Sequence, residues 1–546
     1  MVGEVLMESL ICDRRKHKAY CKFLHIKKII LVILPIIVLF FSNEICRAYS
    51  DIPEEVRIGL FFNDSKTGQY TAVSSFTVDG ESGLQIGRYS DDVFVSLVEE
   101  NSSNALTVKK DVAYHAKLGG NFETFDALKS KLEEYKANGI DAYPVFVDTW
   151  QIWCGFYSDE NAMKAELGGV IEFSAVPPSS TRIAVLTSDG KVKLMYDSAT
   201  GAFRIYPRKE KSPSLFRING DSKKVYRGGV EVLRQTGSDL TVINVLPLEE
   251  YLYGVVPGEI GASSPVEALK AQAVAARTYT INNLSKYKHL NFNLCTTTYS
   301  QVYKGYSVEH PATNKAIDDT KGEIVTYNGK PAAVFYFSSS GGKTEDVKNV
   351  WGSDGYPYLA SVDDPYESGT SWHYNWQVSY TAQKIGEIMA DRGFNLGNIV
   401  GVYITKRSEA GRATEVVVKG TKGERVYTNS NTRAFLSLDS QWYDITTDSD
   451  VSVLTASGSS VNTQLNGKKV LTASGVNTIN TTGSLSVEGS GGVKKKVPTV
   501  PTTYIFTGKG WGHAVGMSQE GAKGMADAGF TYKEILTHYF TGTKVE

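Results

Sequence analysis

The stretch L-P-L-E-E-Y-L-Y-G-V-V-P-G-E-I-G-A-S-S-P-V-E-A-L-K-A-Q-A-V-A-A-R-T-Y-T, Leu246 to Thr280, decides how this chain is read. Its second part carries helix start signals. Ser264 suits the N-cap, Pro265 the first helical position, and Glu267 the third, which would complete a capping box. The helix then runs through Leu269, Ala271, Ala273, Val274, Ala275 and Ala276, and so much alanine lets neighbouring backbones come close. Lys270 and Arg277 are seven positions apart and share one face. Just before this helix, Glu259 sits among Val255, Val256, Pro257, Gly258 and Ile260. A carboxyl held in such apolar, turn-rich surroundings loses water, its pKa rises, and it can donate a proton at neutral pH. A solvated loop glutamate is the plainer reading of Glu259, and an ion pair with Glu267 or a helix end is the plainer reading of Lys270 and Arg277.

Working outward, the chain has 546 residues, enough for about three domains of roughly 100–200 residues each. Its formal net charge of −1 offers no overall basic field for a nucleic-acid partner. Residues 1–48 read as a signal peptide or N-terminal membrane anchor. Seven basic residues from Arg14 to Lys28 precede the apolar run Ile29 to Phe41, and Cys46-Arg47-Ala48 offers a cleavage point. The run is short of the about 20 residues a membrane span needs, which favours a cleaved signal. Export is therefore expected, with contact to a membrane only through this segment. Of the five cysteines only Cys154 and Cys295 lie beyond the leader. They can pair in an oxidising space or stay free, and a fold stapled by several disulfides is excluded.

The expected class is α+β with several domains. Residues 51–106 begin with the strand-like Val56 to Phe62 and read as a small β-rich region. In 107–177, Phe125, Leu128, Leu132 and Tyr135 share a helix face, Asn138-Gly139 ends that helix, Ala142 to Val147 is a strand, and a second helix starts near Ser158. That order, with Gly119-Gly120-Asn121-Phe122 and Trp153-Cys154-Gly155-Phe156-Tyr157, resembles the sporulation-related repeat (SPOR) domain. The resemblance implies binding to glycan strands stripped of stem peptides; an unrelated small α/β domain is the alternative. Residues 180–546 read as one further domain. It carries a β-rich insert at 449–500, where V-L-T-A-S-G occurs at Val453 to Gly458 and again at Val470 to Gly475.

Three blocks in this last region resemble the stage II sporulation protein D (SpoIID) / amidase-enhancer (LytB) family. The first is Glu259 with Glu267 to Tyr279. The second is Tyr336 to Glu345, followed by Val350-Trp351, Pro357-Tyr358-Leu359 and Val362 to Pro365. The third is Gly508 to Gln519, with Gly521-Ala522 and His538-Tyr539-Phe540. The resemblance implies a cell-wall protein acting on peptidoglycan glycan strands. Its activity would be that of a lytic transglycosylase on denuded glycan, with Glu259 as acid and base. It equally admits a non-catalytic enhancer that stimulates a cell-wall amidase. It implies substrate contact by Lys270 and Arg277. Ser338 and Ser340 supply hydroxyls at the rim of a Gly turn, and His513 and Gln519 lie in the third block; these four complete the candidate substrate-binding set. No cofactor is expected. Some family members carry a zinc cluster after the alanine-rich helix. Here His289 and Cys295 are the two remaining candidates, while Tyr299 and Ser300 depart from the pattern. Two ligands fall short of the four that structural zinc takes, so no metal is expected.

Overall fold

The computed structural model describes residues 52–546 apart from 199–200, 235–237, 354, 372, 481–482 and 489–491. The leader expected at 1–48 lies outside the described residues. Helices and strands are both abundant, as an α+β fold requires. No helix among the described residues is long and apolar enough to cross a membrane.

Two large sheets occupy the first half. One has seven strands in the order Leu294–Cys295, Glu55–Phe61, Leu240–Pro247, Gly229–Arg234, Ala202–Pro207, Leu84–Ser90 and Val93–Glu100. Its second strand, from the start of the described chain, pairs antiparallel with the strand that leads into the Glu259 segment, Ile58 opposite Asn244. The other sheet has ten strands. At one end lie Ser174–Val176, Tyr114–Phe122, Thr149–Tyr157 and Ala142–Val147. With helices α1 (Phe125–Ala137) and α2 (Glu160–Leu167) these strands form a split β-α-β-β-α-β unit. α1 buries Leu128 and Leu132, two of the residues read as its inner face, and Thr124 caps it. The sheet does not stop there. Val192–Tyr196 pairs parallel with Ala142–Val147, and Leu106–Lys110 pairs with Ile183–Leu186. The sheets therefore run across the borders expected near residues 106 and 180. A buried polar network holds this seam. His115 lies 2.9 Å from Asp111, Arg182 donates to Asp111 at 3.1 Å and to Asp197 at 3.3 Å, and Arg234 donates to the Asp111 carbonyl at 2.6 Å.

The second half is built around helix α4 (Val266–Asn282), which follows α3 (Leu248–Glu259). Residues Ala268 to Thr280 of α4 are almost all buried, because α3, α5 (Pro311–Asp319) and the last two helices, Gln519–Asp527 and Tyr532–Tyr539, pack around it. Alanine at 271, 273, 275 and 276 permits that close approach. The expected capping box at its start is not formed. Pro265 occupies the N-cap, and the Ser264 hydroxyl donates instead to the Ile260 carbonyl at 2.8 Å. Helix α6 (Val347–Trp351) follows, and α7 (Ala382–Asp391) and α8 (Asn431–Ala434) close a separate apolar cluster of Trp376, Ile385, Met389, Phe435 and Phe506. The chain ends in α9 (Gln519–Asp527) and α10 (Tyr532–Tyr539), where Thr531 and Glu534 form the capping box their spacing predicts. The insert at 449–500 is three successive hairpins, Asp450–Gln464, Lys469–Thr478 and Ser484–Pro498, and both V-L-T-A-S-G copies run into hairpin turns.

Candidate functional site

Glu259 is the last residue of α3, a helix anchored by buried Leu248, Tyr251, Leu252, Val255 and Val256. Gly254 and Gly258, one turn apart, let the segment 296–305 lie directly on this helix. A Cβ at Gly254 would come 2.6 Å from the Tyr303 ring, and one at Gly258 would come 3.1 Å from the Val302 carbonyl. The Lys304 N–H donates to the Gly254 carbonyl at 3.1 Å, and the Val302 N–H donates to Glu259 Oε1 at 2.6 Å. The Gln519 and Tyr336 side chains also hydrogen-bond the carboxyl. Burial pushes the Glu259 pKa above the usual carboxylate range, and these bonds only partly offset it.

Tyr336 and Gln519 reach the carboxyl because Tyr336-Phe337 pairs parallel with Met517-Ser518, immediately before Gln519. The Tyr336 oxygen also lies 2.8 Å from Gln301 Oε1, so its single proton is shared between that amide and the carboxyl. Gln301 is oriented in turn by bonds from its amide to Thr280 at 2.9 Å and Tyr251 at 3.3 Å. Gln519 donates to Gln272 of α4 at 3.3 Å. Burial holds the Tyr336 and Tyr279 phenols above their ordinary range, so both remain neutral donors at neutral pH.

Glu259 opens into a groove of about 470 Å³, flanked by Tyr279, Lys286, Tyr299, Trp351, Trp511 and His513. Tyr299 is 51% exposed and Trp351 41%, so flat aromatic faces stand at the rim. Aromatic faces with polar edges suit sugar rings. A larger cavity of about 710 Å³ lies against α10, but Lys343 and Asp363 there neutralise each other at 2.8 Å.

The groove contains Glu259, Ser338, His513 and Gln519 of the residues singled out from the sequence. His513 is a fixed wall. Its Nδ1 accepts the Val515 N–H at 3.1 Å, its ring packs on Phe337 and Trp351, and burial beside Arg433 pushes its pKa down to about 3. The structure places the other three outside the groove. Ser340 is fully buried, its hydroxyl lying 2.7 Å from both Asp364 and Glu367 and shared between them. Arg277 is fully buried in a two-point ion pair with Glu249, at 2.9 and 2.6 Å, and also donates to the Glu323 and Ile317 carbonyls. Lys270 bonds Glu267 at 3.1 Å and lies over the Tyr532 ring.

Residues 236–327, which include Glu259 and all of α4, match the family described as stage II sporulation protein (SpoIID). An uncharacterized protein of Brachyspira hyodysenteriae is 33% identical over 307 residues, 56% of this chain and 68% of that protein. The chain belongs to the SpoIID / amidase-enhancer family. The amidase enhancer of Bacillus subtilis is 32% identical over 310 residues, and the match spans 54% of this chain but only 40% of that protein. Stage II sporulation protein D of Bacillus subtilis is 27% identical over 350 residues, 59% of this chain and 83% of that protein.

Several residues of this SpoIID-family groove escaped the reading of the sequence. Val302 acts through its backbone N–H, which leaves no side-chain signal. Gln301, Tyr279 and Lys286 stood outside any assigned role. Trp351, Tyr336 and Trp511 lay within the recognised blocks, and their aromatic character was the one clue that they line a groove. Cys154 and Cys295 are both buried and free, which resolves the alternative left open for them. The Cys295 thiol packs instead against the Tyr287 hydroxyl at 3.3 Å.

Proposed function

We propose that this protein is an exported cell-wall enzyme that cleaves denuded peptidoglycan glycan as a lytic transglycosylase, in sporulation or wall remodelling. The observation that carries this reading is Glu259, a desolvated carboxyl with a raised pKa that opens on an aromatic groove. Among the described residues lining that groove it is the sole carboxylate. Retaining and inverting glycosidases use two. A lytic transglycosylase works with one. Glu259 protonates the glycosidic oxygen as the bond to the anomeric carbon breaks. The resulting carboxylate then takes the proton from the muramic acid's C6 hydroxyl, which attacks that carbon and closes an anhydro ring. Val302 N–H, Gln519 and Tyr336 hold the carboxyl in place and stabilise its ionised form between the two steps. The test is mass analysis of products released from denuded glycan. Anhydro-ended fragments from the wild type, lost with Glu259→Gln, are the expected result.

A second reading, an enhancer that stimulates a separate cell-wall amidase, is favoured by the 32% identity to the Bacillus subtilis amidase enhancer. Amidase release of stem peptides that rises on addition of this protein, unchanged by Glu259→Gln, would establish it in place of the enzyme. In either case residues 107–177 would serve as a SPOR-like glycan-binding unit, a role supported by their split β-α-β-β-α-β order. Substitutions of exposed residues on its surface that leave glycan pull-down intact would remove that role.

A further inference from the structure

The Glu259 groove contains a charged group for which the acid–base cycle has no use. Lys286 follows the end of α4, and its ammonium donates to the Tyr279 hydroxyl at 3.1 Å and to the Tyr299 carbonyl. These acceptors occupy two of its three N–H donors. Both are neutral, and among the described residues no carboxylate pairs with it. Three cations on or against α4 are by contrast matched by carboxylates: Arg277 by Glu249, Lys270 by Glu267 and Asp319, Lys315 by Asp319. Lys286 is also the one lysine or arginine among the described residues lining the groove, while burial holds His513 neutral.

Lys286 is solvent-exposed at the rim of the groove, where Tyr279 and Tyr299 hold its ammonium in place. An arriving anion would find one N–H donor still open, and a bond between two charged groups is stronger than one to a neutral acceptor. Tyr279 links this end of the groove to the catalytic end. It receives the lysine's bond, and its ring packs edge-on against Tyr336, which bonds Glu259. Tyr299, whose carbonyl holds the lysine, presents its exposed ring at the same rim. A sugar stacked there would bring its substituents past the ammonium.

Resting on the reading of this groove as a peptidoglycan site, we propose that Lys286 is a specificity residue: it recognises a free carboxylate on the bound glycan, the lactyl group of muramic acid. The groove thereby prefers strands bearing that charge over strands in which it has been converted to an amide. An amide has no net charge and presents one acceptor oxygen in place of two, so the charge-assisted bond is lost.

The test measures equilibrium binding with the full chain carrying Glu259→Gln, which prevents turnover. Two probes are used: glycan oligosaccharide stripped of stem peptides, and the same material with its lactyl carboxylates coupled to methylamine. The expected preference for the free acid is about ten-fold or more, the range of one charge-assisted bond. Adding Lys286→Gln should abolish the preference by weakening binding of the free acid while leaving the amide unchanged. Lys286→Arg should keep most of it. A parent that binds both probes equally well, or a preference that survives Lys286→Gln, overturns the assignment. A parent that binds neither probe overturns the glycan reading of the groove itself, and the assignment with it. Matching melting temperatures for the Gln and Arg variants separate lost recognition from lost fold.

Discussion

Two buried carboxyl sites in this protein share a property and differ in what they can do. Burial raises the pKa of Glu259 and of Asp364 alike. Asp364 lies in an enclosed cluster. It accepts from Tyr539 at 2.9 Å and shares the Ser340 hydroxyl, 2.7 Å from each, with Glu367, which also accepts from the Ser371 hydroxyl and from two backbone N–H groups. Those bonds hold the Ser339 to Gly341 turn against Arg412, whose guanidinium donates to the Ser340 and Lys343 carbonyls. Glu259 is also held by several hydrogen bonds, but it has an open side facing the groove. A raised pKa therefore marks a desolvated carboxyl, and access to a ligand separates a proton donor from a structural anchor.

The sharpest way to break this comparison is Glu259→Gln. It should lower release of anhydro-ended fragments by about 10²- to 10⁴-fold, the contribution of a positioned acid–base group. If mass analysis finds undiminished release, the two carboxyl sites are functionally alike and the comparison fails. Next in size is Arg277→Met, which strands Glu249 without its partner. A loss of about 3–5 kcal/mol in denaturant unfolding is expected, as for breaking a buried ion pair. Glu367→Ala should cost about 1–3 kcal/mol by leaving buried hydroxyl and N–H donors unpaired.

Substitutions at the two sites should differ in sign. The folded pKa of Glu259 lies above its unfolded value, so its favourable contribution to stability is full below the unfolded value and is lost as pH rises through the folded one. Glu259→Gln should thus raise the melting temperature at neutral pH, with the advantage shrinking as pH falls towards the ordinary carboxylate range. Glu367→Ala should lower the melting temperature at neutral pH. Turnover should decline as pH rises through the Glu259 value, because the protonated form starts the reaction. The smallest effect belongs to Lys270→Met, about 0–1 kcal/mol by the same unfolding measurement, since its ion pair is partly solvated.

The sequence by itself determined what depends on neighbours along the chain. The helix of Phe125–Ala137, the strand Ala142–Val147, the alanine-rich α4 and the Thr531–Glu534 cap follow from spacings of two to four residues. The blocks that mark the family were legible for the same reason. Tertiary structure decided everything that required distant segments to meet. Arg277 and Lys270 share a helix face and read alike as ligand contacts, yet Glu249 and Glu267 take them up. Lys286 carried no signal until folding left it in the groove with two neutral acceptors. The strand at Glu55 joined the strand before Glu259 across almost 200 residues, erasing the borders that composition indicated. Glu259 itself was a carboxyl in an apolar stretch until Val302, Tyr336 and Gln519, brought from 43 to 260 positions away, fixed its environment. Spacing along the chain sets backbone conformation, but desolvation and charge pairing depend on which remote groups arrive, and packing alone settles that.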